Sequence, residues 1–196
     1  MADPVQTPIG IDLLHVPPTP LLPYHTVVTL GMADHPMSAP AGSEYMRFAE
    51  LAVHLPAEWE LDPEALRDER RYWPLRLLRR LAKLPVEQAT WLWIGHTIPN
   101  GELPSPYAPD TTLASAMLLP PLLLSPEFQE LELKDGRLVM FHSLVFLTAD
   151  ELRLRCKSGA EALIDAFERG GTEPEAFMVL NKNRPALRER RRWFLW

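Results

Sequence analysis

Hydrophobic and polar positions follow two periods along the 196-residue chain, and these periods sort it into strands and helices. Ile9 to Val16 (IGIDLLHV) has the short apolar character of a strand. Pro17, Pro18, Pro20 and Pro23 then force an extended passage, since each proline fixes its own φ and biases its predecessor away from the helical region. Tyr24 to Leu30 (YHTVVTL) is β-branched and aromatic and predicts a strand stopped by Gly31. Gly31 to Gly42 has the Gly, Pro, Asp and Ser punctuation of a shaped loop. Tyr45 to Leu55 alternates, with a slip near Ala49 that suits a bulge, and Pro56 ends it.

Helical spacing appears next. Asp62-Pro63-Glu64 is a helix-start signature that predicts a short acidic helix. In Trp73 to Leu84 the apolar residues Trp73, Leu77, Leu81 and Leu84 share one face, Arg76, Arg79, Arg80 and Lys83 decorate the other, and Pro85 is expected to stop the helix. Thr90 to Ile94 (TWLWI) reads as a buried strand ending at Gly95, followed by a long proline-rich loop from His96 to Thr112. Ala116 to Leu124 is split by Pro120-Pro121 and reads as at best an edge strand. Leu131–Leu133 and Leu138–Leu147 flank Asp135-Gly136 as a hairpin. Two helices follow, each opened by a capping box: Thr148 with Glu151, and Ser158 with Glu161.

This mixture of strands and helices predicts a single α+β domain with a mixed sheet packed by helices. Its boundaries are expected at residues 9–171, with 1–8 frayed and 172–196 an extension docked on the domain, because Trp193, Phe194, Leu195 and Trp196 are costly to leave in water. Composition adds one outlier: 21 prolines against 9 glycines, spread along the chain, which argues against a long-helix bundle. Net charge is −6, from 26 acidic and 20 basic side chains, which creates no field to hold a polyanion, so nucleic-acid binding is not expected. The single cysteine, Cys156, excludes an intrachain disulfide and a cysteine-built zinc site, and fits a reducing compartment. No apolar run approaches the roughly 18 residues of a spanning helix, so a cytoplasmic protein without membrane attachment is expected.

Candidate chemistry is sparse. The chain has no Gly-rich phosphate loop, no G-x-S-x-G elbow and no H-E-x-x-H, and His25, His35, His54, His96 and His142 are spread at intervals unlike common zinc ligands. The ordinary reading of His25, His54 and His142 is a half-buried histidine with hydrogen-bond partners. His96 differs because it follows a predicted strand, adjoins Gly95 and opens the long loop, the kind of place where binding and catalytic groups concentrate. As a general base it would need a carboxylate partner, for which Glu50 and Asp34 are the candidates. The basic residues from Arg76 to Lys83 follow Asp62, Glu64, Asp68 and Glu69, so local neutralisation is the simpler account of them.

Several ordered motifs then carry a family resemblance. VPPTP (Val16–Pro20), TVVTLGMADHPMSAP (Thr26–Pro40), FAELAVHLP (Phe48–Pro56), YWPLRLLRRLAKLP (Tyr72–Pro85), GHTIPNGE (Gly95–Glu102), LLPP (Leu118–Pro121) and GAEALIDAFERGG (Gly159–Gly171) resemble the suppressor of fused domain family in its bacterial single-domain form. The resemblance implies an α+β fold and a protein-binding role with no established enzymatic activity and no cofactor. Animal members take an extended peptide of a Gli-type transcription factor into a groove, whereas bacterial members are often encoded beside polymorphic toxins and are inferred to be immunity proteins. Here Gly95 stands where animal sequences place an acidic residue beside the histidine, so Gli recognition does not transfer.

The expected partner is therefore a protein, a cognate toxin in the immunity reading, with the oligomeric state open. The two proline-stiffened loops supply the candidate contacts: Gly31, Met32, Asp34, Pro36 and Met37 in one, and Gly95, His96, Thr97, Pro99 and Asn100 in the other, with Glu50, Trp73, Trp193 and Trp196 behind them. A hydrolase-like or metal-assisted enzyme built on His96 with Glu50 or Asp34 stays open as the alternative, and metal ligands are not expected.

Overall fold

The longest strand organises the sheet. The computed structural model describes residues 9–169, 173–184 and 187, and within it β7 (Leu138–Thr148) pairs with three others. On one side it runs parallel to β3 (Ala49–Pro56), and on the other antiparallel to β5 (Leu113–Leu119). The short β6 (Glu130–Glu132) pairs with its first residues. β2 (Tyr24–Leu30) and β1 (Asp12–Val16) extend the sheet antiparallel beyond β3, and β4 (Thr97–Pro99) closes the far edge, giving the order β1-β2-β3-β7-β5-β4. The single parallel pair makes the sheet mixed, as expected.

Both faces are covered. The helix α1 (Glu69–Glu87) lays Trp73, Leu77, Leu78 and Leu81 on one face, against Val27, Leu51, Val53, Leu55, Leu144 and Phe146. Trp73 is fully buried and stacks on Tyr107 at 4.8 Å, so it is a core residue and not the contact expected of it. On the other face, α2 (Ala149–Arg169) and α3 (Pro174–Met178) pack Leu163, Phe167, Phe177 and Met178 on Met117, Leu119, Val145 and Leu147. α2 is two helical stretches on either side of Gly159, whose φ of 89° and ψ of 169° interrupt it. The first capping box forms as expected: the Thr148 N–H donates to Glu151 Oε2 and the Glu151 N–H to Thr148 Oγ1.

Four local expectations change. α1 begins at Glu69, capped by the Asp68 carboxylate, because Asp62 caps only a single 3-10 turn at Ala65–Arg67. Pro85 does not stop it: the missing N–H removes one bond, and the Gln88 and Thr90 N–H groups close the last turn on the Leu84 and Pro85 carbonyls. Leu113–Leu119 is no edge strand. All seven residues are buried between β4 and β7, with Pro120 just outside. Tyr45 belongs to a 3-10 turn (Glu44–Met46), so the slip near Ala49 is the start of β3.

Thr90–Ile94 is the largest departure, an irregular segment in place of a buried strand. Its backbone is satisfied elsewhere: the Thr90 carbonyl accepts from the Ser38 N–H at 3.0 Å, and the Leu92 N–H points at Met37 Sδ at 3.4 Å. Among the described residues Ala89, just before it, is the non-glycine residue with positive φ, at 47°. Only Leu92 of the segment is buried, which leaves Trp91 and Trp93 half-buried and Ile94 exposed.

Candidate functional site

The loop after β2 is built on Glu50. At position 31 the chain turns with φ of 109°, and a Cβ there would sit 2.8 Å from the Gly10 carbonyl, so glycine is required. The 3-10 turn Met32–Asp34 follows, and its leading N–H groups have no partner within the turn. Glu50, on β3, supplies one: Oε1 accepts from the Gly31 and Ala33 N–H groups at 3.0 Å each, while Oε2 accepts from Thr29 Oγ1 at 2.5 Å. Burial pushes the Glu50 carboxyl up, against the opposing pull of these donors. From the β6–β7 hairpin, Arg137 donates to the Ala33 carbonyl at 2.8 Å and pairs with Asp34 at 3.8 Å.

The same loop is then joined to the segment ahead of Gly95. Met37 is buried, its N–H donating to the Arg47 carbonyl at 2.7 Å, and Ser38 and Met37 contact Thr90 and Leu92 as described. Above this join, Tyr45 meets Trp93 edge-on at 5.5 Å, Trp93 meets His142 at 5.0 Å, and Trp91 meets His96 at 5.6 Å. Tyr45 is 49% exposed and Ile94 38%. A cleft of about 330 Å³ is lined by residues 36–41 together with Glu44 and Arg47.

Gly95 anchors the other loop. Its N–H donates to the Leu118 carbonyl at 2.8 Å, and its carbonyl accepts from Arg155 of α2 at 3.0 Å. Thr97 and Pro99 pair with β5, and the Asn100 side chain closes the following turn by donating to the Ser105 and Pro106 carbonyls. His96 is half-buried; burial lowers its pKa, the neighbouring Trp91 carbonyl raises it, and the Arg155 charge lowers it again.

The candidate residues therefore divide. Asp34 and Pro36 are exposed, and Gly31, Gly95, His96, Thr97 and Asn100 are partly so, with Pro99 at the exposed sheet edge. Met32, Met37, Glu50 and Trp73 are buried and shape the surface from beneath. Trp193 and Trp196 lie outside the described residues. Glu50 and Asp34 do not converge on His96: among the described residues no hydrogen bond joins them, and Glu50 is spent on the loop backbone. Nor do three or more His, Cys, Asp or Glu side chains gather for a metal among the described residues.

Two histidines behave differently from each other. His54 is fully buried and hydrogen-bonded to Thr26 Oγ1 and Ser143 Oγ, and burial lowers its pKa to about 4. His142 is equally buried, and burial, with the nearby His96, lowers its pKa to about 4, but neither ring nitrogen has a hydrogen-bond partner among the described residues. Tyr45, Trp91 and Trp93 were not among the residues expected at the site. The sequence signal for them was two tryptophans and a tyrosine flanking proline- and glycine-marked loops, the residue types that dominate binding surfaces.

Comparisons with known proteins follow the same lines. The family model described as Suppressor of fused protein (SUFU) matches residues 7–188. A SUFU homolog from Neisseria gonorrhoeae has a similar fold, with a TM-score of 0.62 at 17% identity over 92% of this chain and 79% of that one. A chain of the Sufu–Fu complex gives 0.60 at 14% identity over 90% and 76%. Drosophila Suppressor of Fused gives 0.59 at 14% over 90% of this chain, which spans 42% of that longer protein. No curated protein matches the chain.

Proposed function

Because the chain belongs to the suppressor of fused family, we propose that it is a non-enzymatic protein-binding domain, and specifically an immunity protein that binds a toxin and blocks it. The observation that carries this reading is the aromatic surface of Tyr45, Trp91, Trp93 and Ile94 beside His96, presented on loops whose backbones are tied to the sheet. Tryptophan and tyrosine dominate binding energy at interfaces, and loops that are already ordered lose little entropy on docking. A chain of similar fold in the Sufu–Fu complex engages a protein partner. The toxin as partner rests on the resemblance to bacterial members of the family.

Contacts are assigned to the exposed Asp34, Pro36 and Pro99 and the partly exposed Thr97 of the two loops, around that aromatic centre. The carboxylates a His96-centred enzyme would need are engaged elsewhere, Glu50 with backbone donors and Asp34 with Arg137. No helix among the described residues is long and apolar enough to cross a membrane.

The test is co-purification from the native cell followed by a toxin-protection assay. Trp91→Ala and Trp93→Ala are expected to leave the fold intact and weaken partner binding by roughly 30-fold each, the scale of an aromatic anchor worth about 2 kcal/mol. Absence of any partner, together with no rescue from any neighbouring toxin, overturns the proposal. Rescue that survives both substitutions moves the interface off this surface.

A further inference from the structure

At the β1–β2 edge of the sheet, one face lacks a covering element among the described residues. Successive strand residues alternate faces, so Tyr24, Thr26, Val28 and Leu30 of β2 point the same way. Leu14 lies opposite Val28, Val16 opposite Thr26 and Asp12 opposite Leu30, which puts these β1 residues on that face too. The other face is sealed, because Ile11, Leu13 and Val27 pack into the core with α1. On the open side, Tyr24 alone of the two strands joins the core formed with α2 and α3, among the described residues. Leu14 is left 57% exposed, Val16 44% and Leu30 59%, with Val28 half-buried. An apolar sheet face calls for an element to lie on it.

The chain itself holds one. Residues 188–196 read RERRRWFLW, and Trp193, Phe194, Leu195 and Trp196 are costly to leave in water. Leu187, just before them, packs in the core under α2 and α3, and its N–H donates to Glu151 Oε1 at 3.1 Å, beside Thr148 at the end of β7. The segment therefore starts on the correct side of the sheet. It also starts at the correct end: β3 runs parallel to β7, Tyr24 pairs with Pro56 at the end of β3, and Val16 pairs with Thr26. From β7 across β3 and β2 to β1 is three strand spacings, about 14 Å. Arg188 to Arg192 span about 16 Å when extended, enough to make that crossing and bring Trp193–Trp196 to Val16 and Leu14.

Charge along the way suits arginine. A cleft of about 400 Å³ beside Pro56 and Val179 is lined by Glu58, Arg71, Glu175 and Lys182. Its two cations pair with Glu60 and Asp110, which leaves Glu58 and Glu175 without an ion-pair partner among the described residues. Burial raises the pKa of the Tyr24 phenol and the Glu175 charge raises it further, which marks that carboxylate as a neighbour of β2. We propose that residues 188–196 form a strap across this end of the sheet, with arginines at Glu58 and Glu175 and the aromatic residues on Leu14, Val16, Val28 and Leu30. The strap completes the layer that α2 and α3 begin, and it holds the edge strand β1 in place.

The test keeps the full chain, with Cys156→Ser as background. Val16→Cys is combined with Trp193→Cys or with Phe194→Cys, and mild oxidation is expected to convert most of at least one pair to an intramolecular disulfide, read by mass spectrometry of a non-reduced digest. Leu103→Cys, on the exposed loop after β4, stays reduced with the same two partners. Disulfides only between chains would give the face to a second copy, and disulfides with neither partner would give it to another occupant; either result overturns the proposal. Melting curves supply the second readout. Trp193→Ser together with Trp196→Ser should lower the melting temperature by about 3–6 °C, and Leu14→Ser should cost less in that background than in the parent, because the contact is already gone. A double variant that melts within about a degree of the parent, or an equal Leu14→Ser loss in both backgrounds, would also overturn it.

Discussion

Replacing Glu50 separates two roles of one buried carboxylate, and its consequences can be worked from the contacts. In Glu50→Ala, the Gly31 and Ala33 N–H groups lose their shared acceptor, and Thr29 Oγ1 keeps only a long 3.4 Å contact to the Leu51 carbonyl for its proton. An unsatisfied buried donor costs about 1–3 kcal/mol, and water reaching the partly exposed Gly31 recovers part of it, so the expected loss is about 2–4 kcal/mol. Glu50→Gln should cost less than about 1 kcal/mol. Its oxygen can take the place of Oε1, and its NH₂ can donate to Thr29 Oγ1 while that hydroxyl turns to Leu51.

The pH dependence gives an independent check. Burial raises the Glu50 carboxyl in the folded state, so the native protein holds this proton above the ordinary value of about 4.3. Its contribution to stability is full below that value and is lost as pH rises through the folded-state pKa. Glu50→Gln has no such titration, so it should gain on the parent as pH rises through that window. Urea unfolding of the three proteins from mildly acidic to neutral pH measures both effects. Equal midpoints for the Ala and Gln variants, or a Gln variant that tracks the parent at every pH, would refute the assignment of Glu50 as the acceptor that shapes this loop.

Two further outcomes test the supports around it. Arg184→Met should cost about 3–5 kcal/mol at neutral pH, because Glu151 is fully buried and Arg184 binds both its oxygens. Burial pushes that carboxyl up, but the Arg184 bond and charge with the Thr148 and Leu187 N–H groups hold it below the usual range; without Arg184 it takes a proton in mild acid, so urea midpoints should show the deficit shrinking toward about pH 4. Gly31→Ala would put a Cβ 2.8 Å from the Gly10 carbonyl oxygen and hold alanine at a φ of 109°, a strain of about 1–3 kcal/mol at roughly 2–4 °C of melting temperature per kcal/mol; a melting point within about a degree of the parent would contradict the close approach.

Where a residue's local chemistry decides its own structure, the sequence was a reliable guide. The β-branched run of β2, the Asp135-Gly136 hairpin and the Thr148–Glu151 capping box each needed no distant partner to be read. Proline misled where its effect depends on which bond it removes. Pro85 sits in the last turn of α1 and costs a single hydrogen bond, and Pro120 follows a complete buried strand instead of splitting it. Thr90–Ile94 has the apolar content of a strand, but Ser38 and Met37, more than fifty residues earlier, take its backbone and side-chain contacts. That long-range join left Trp91 and Trp93 half-buried where a buried strand was expected, and periodicity carries no record of it.

The rigidity of the candidate surface has a different source from the prolines that first suggested it. Pro36 and Pro40 are exposed and restrict only their own torsions and those of the residue before each. What holds the first loop is a set of contacts from three separate places: Glu50 on β3, Arg137 at the hairpin leading into β7, and the Arg47 carbonyl just ahead of β3. The second loop is held by the Leu118 carbonyl at the end of β5 and by Arg155 reaching over from α2. Each loop is thus cross-braced by elements that are themselves packed on both faces of the sheet. Removing a loop proline would free the torsions around one residue, whereas removing Glu50 would release a whole turn, so binding by this candidate surface should depend more on Glu50, which is buried, than on Pro36, which stands in the open.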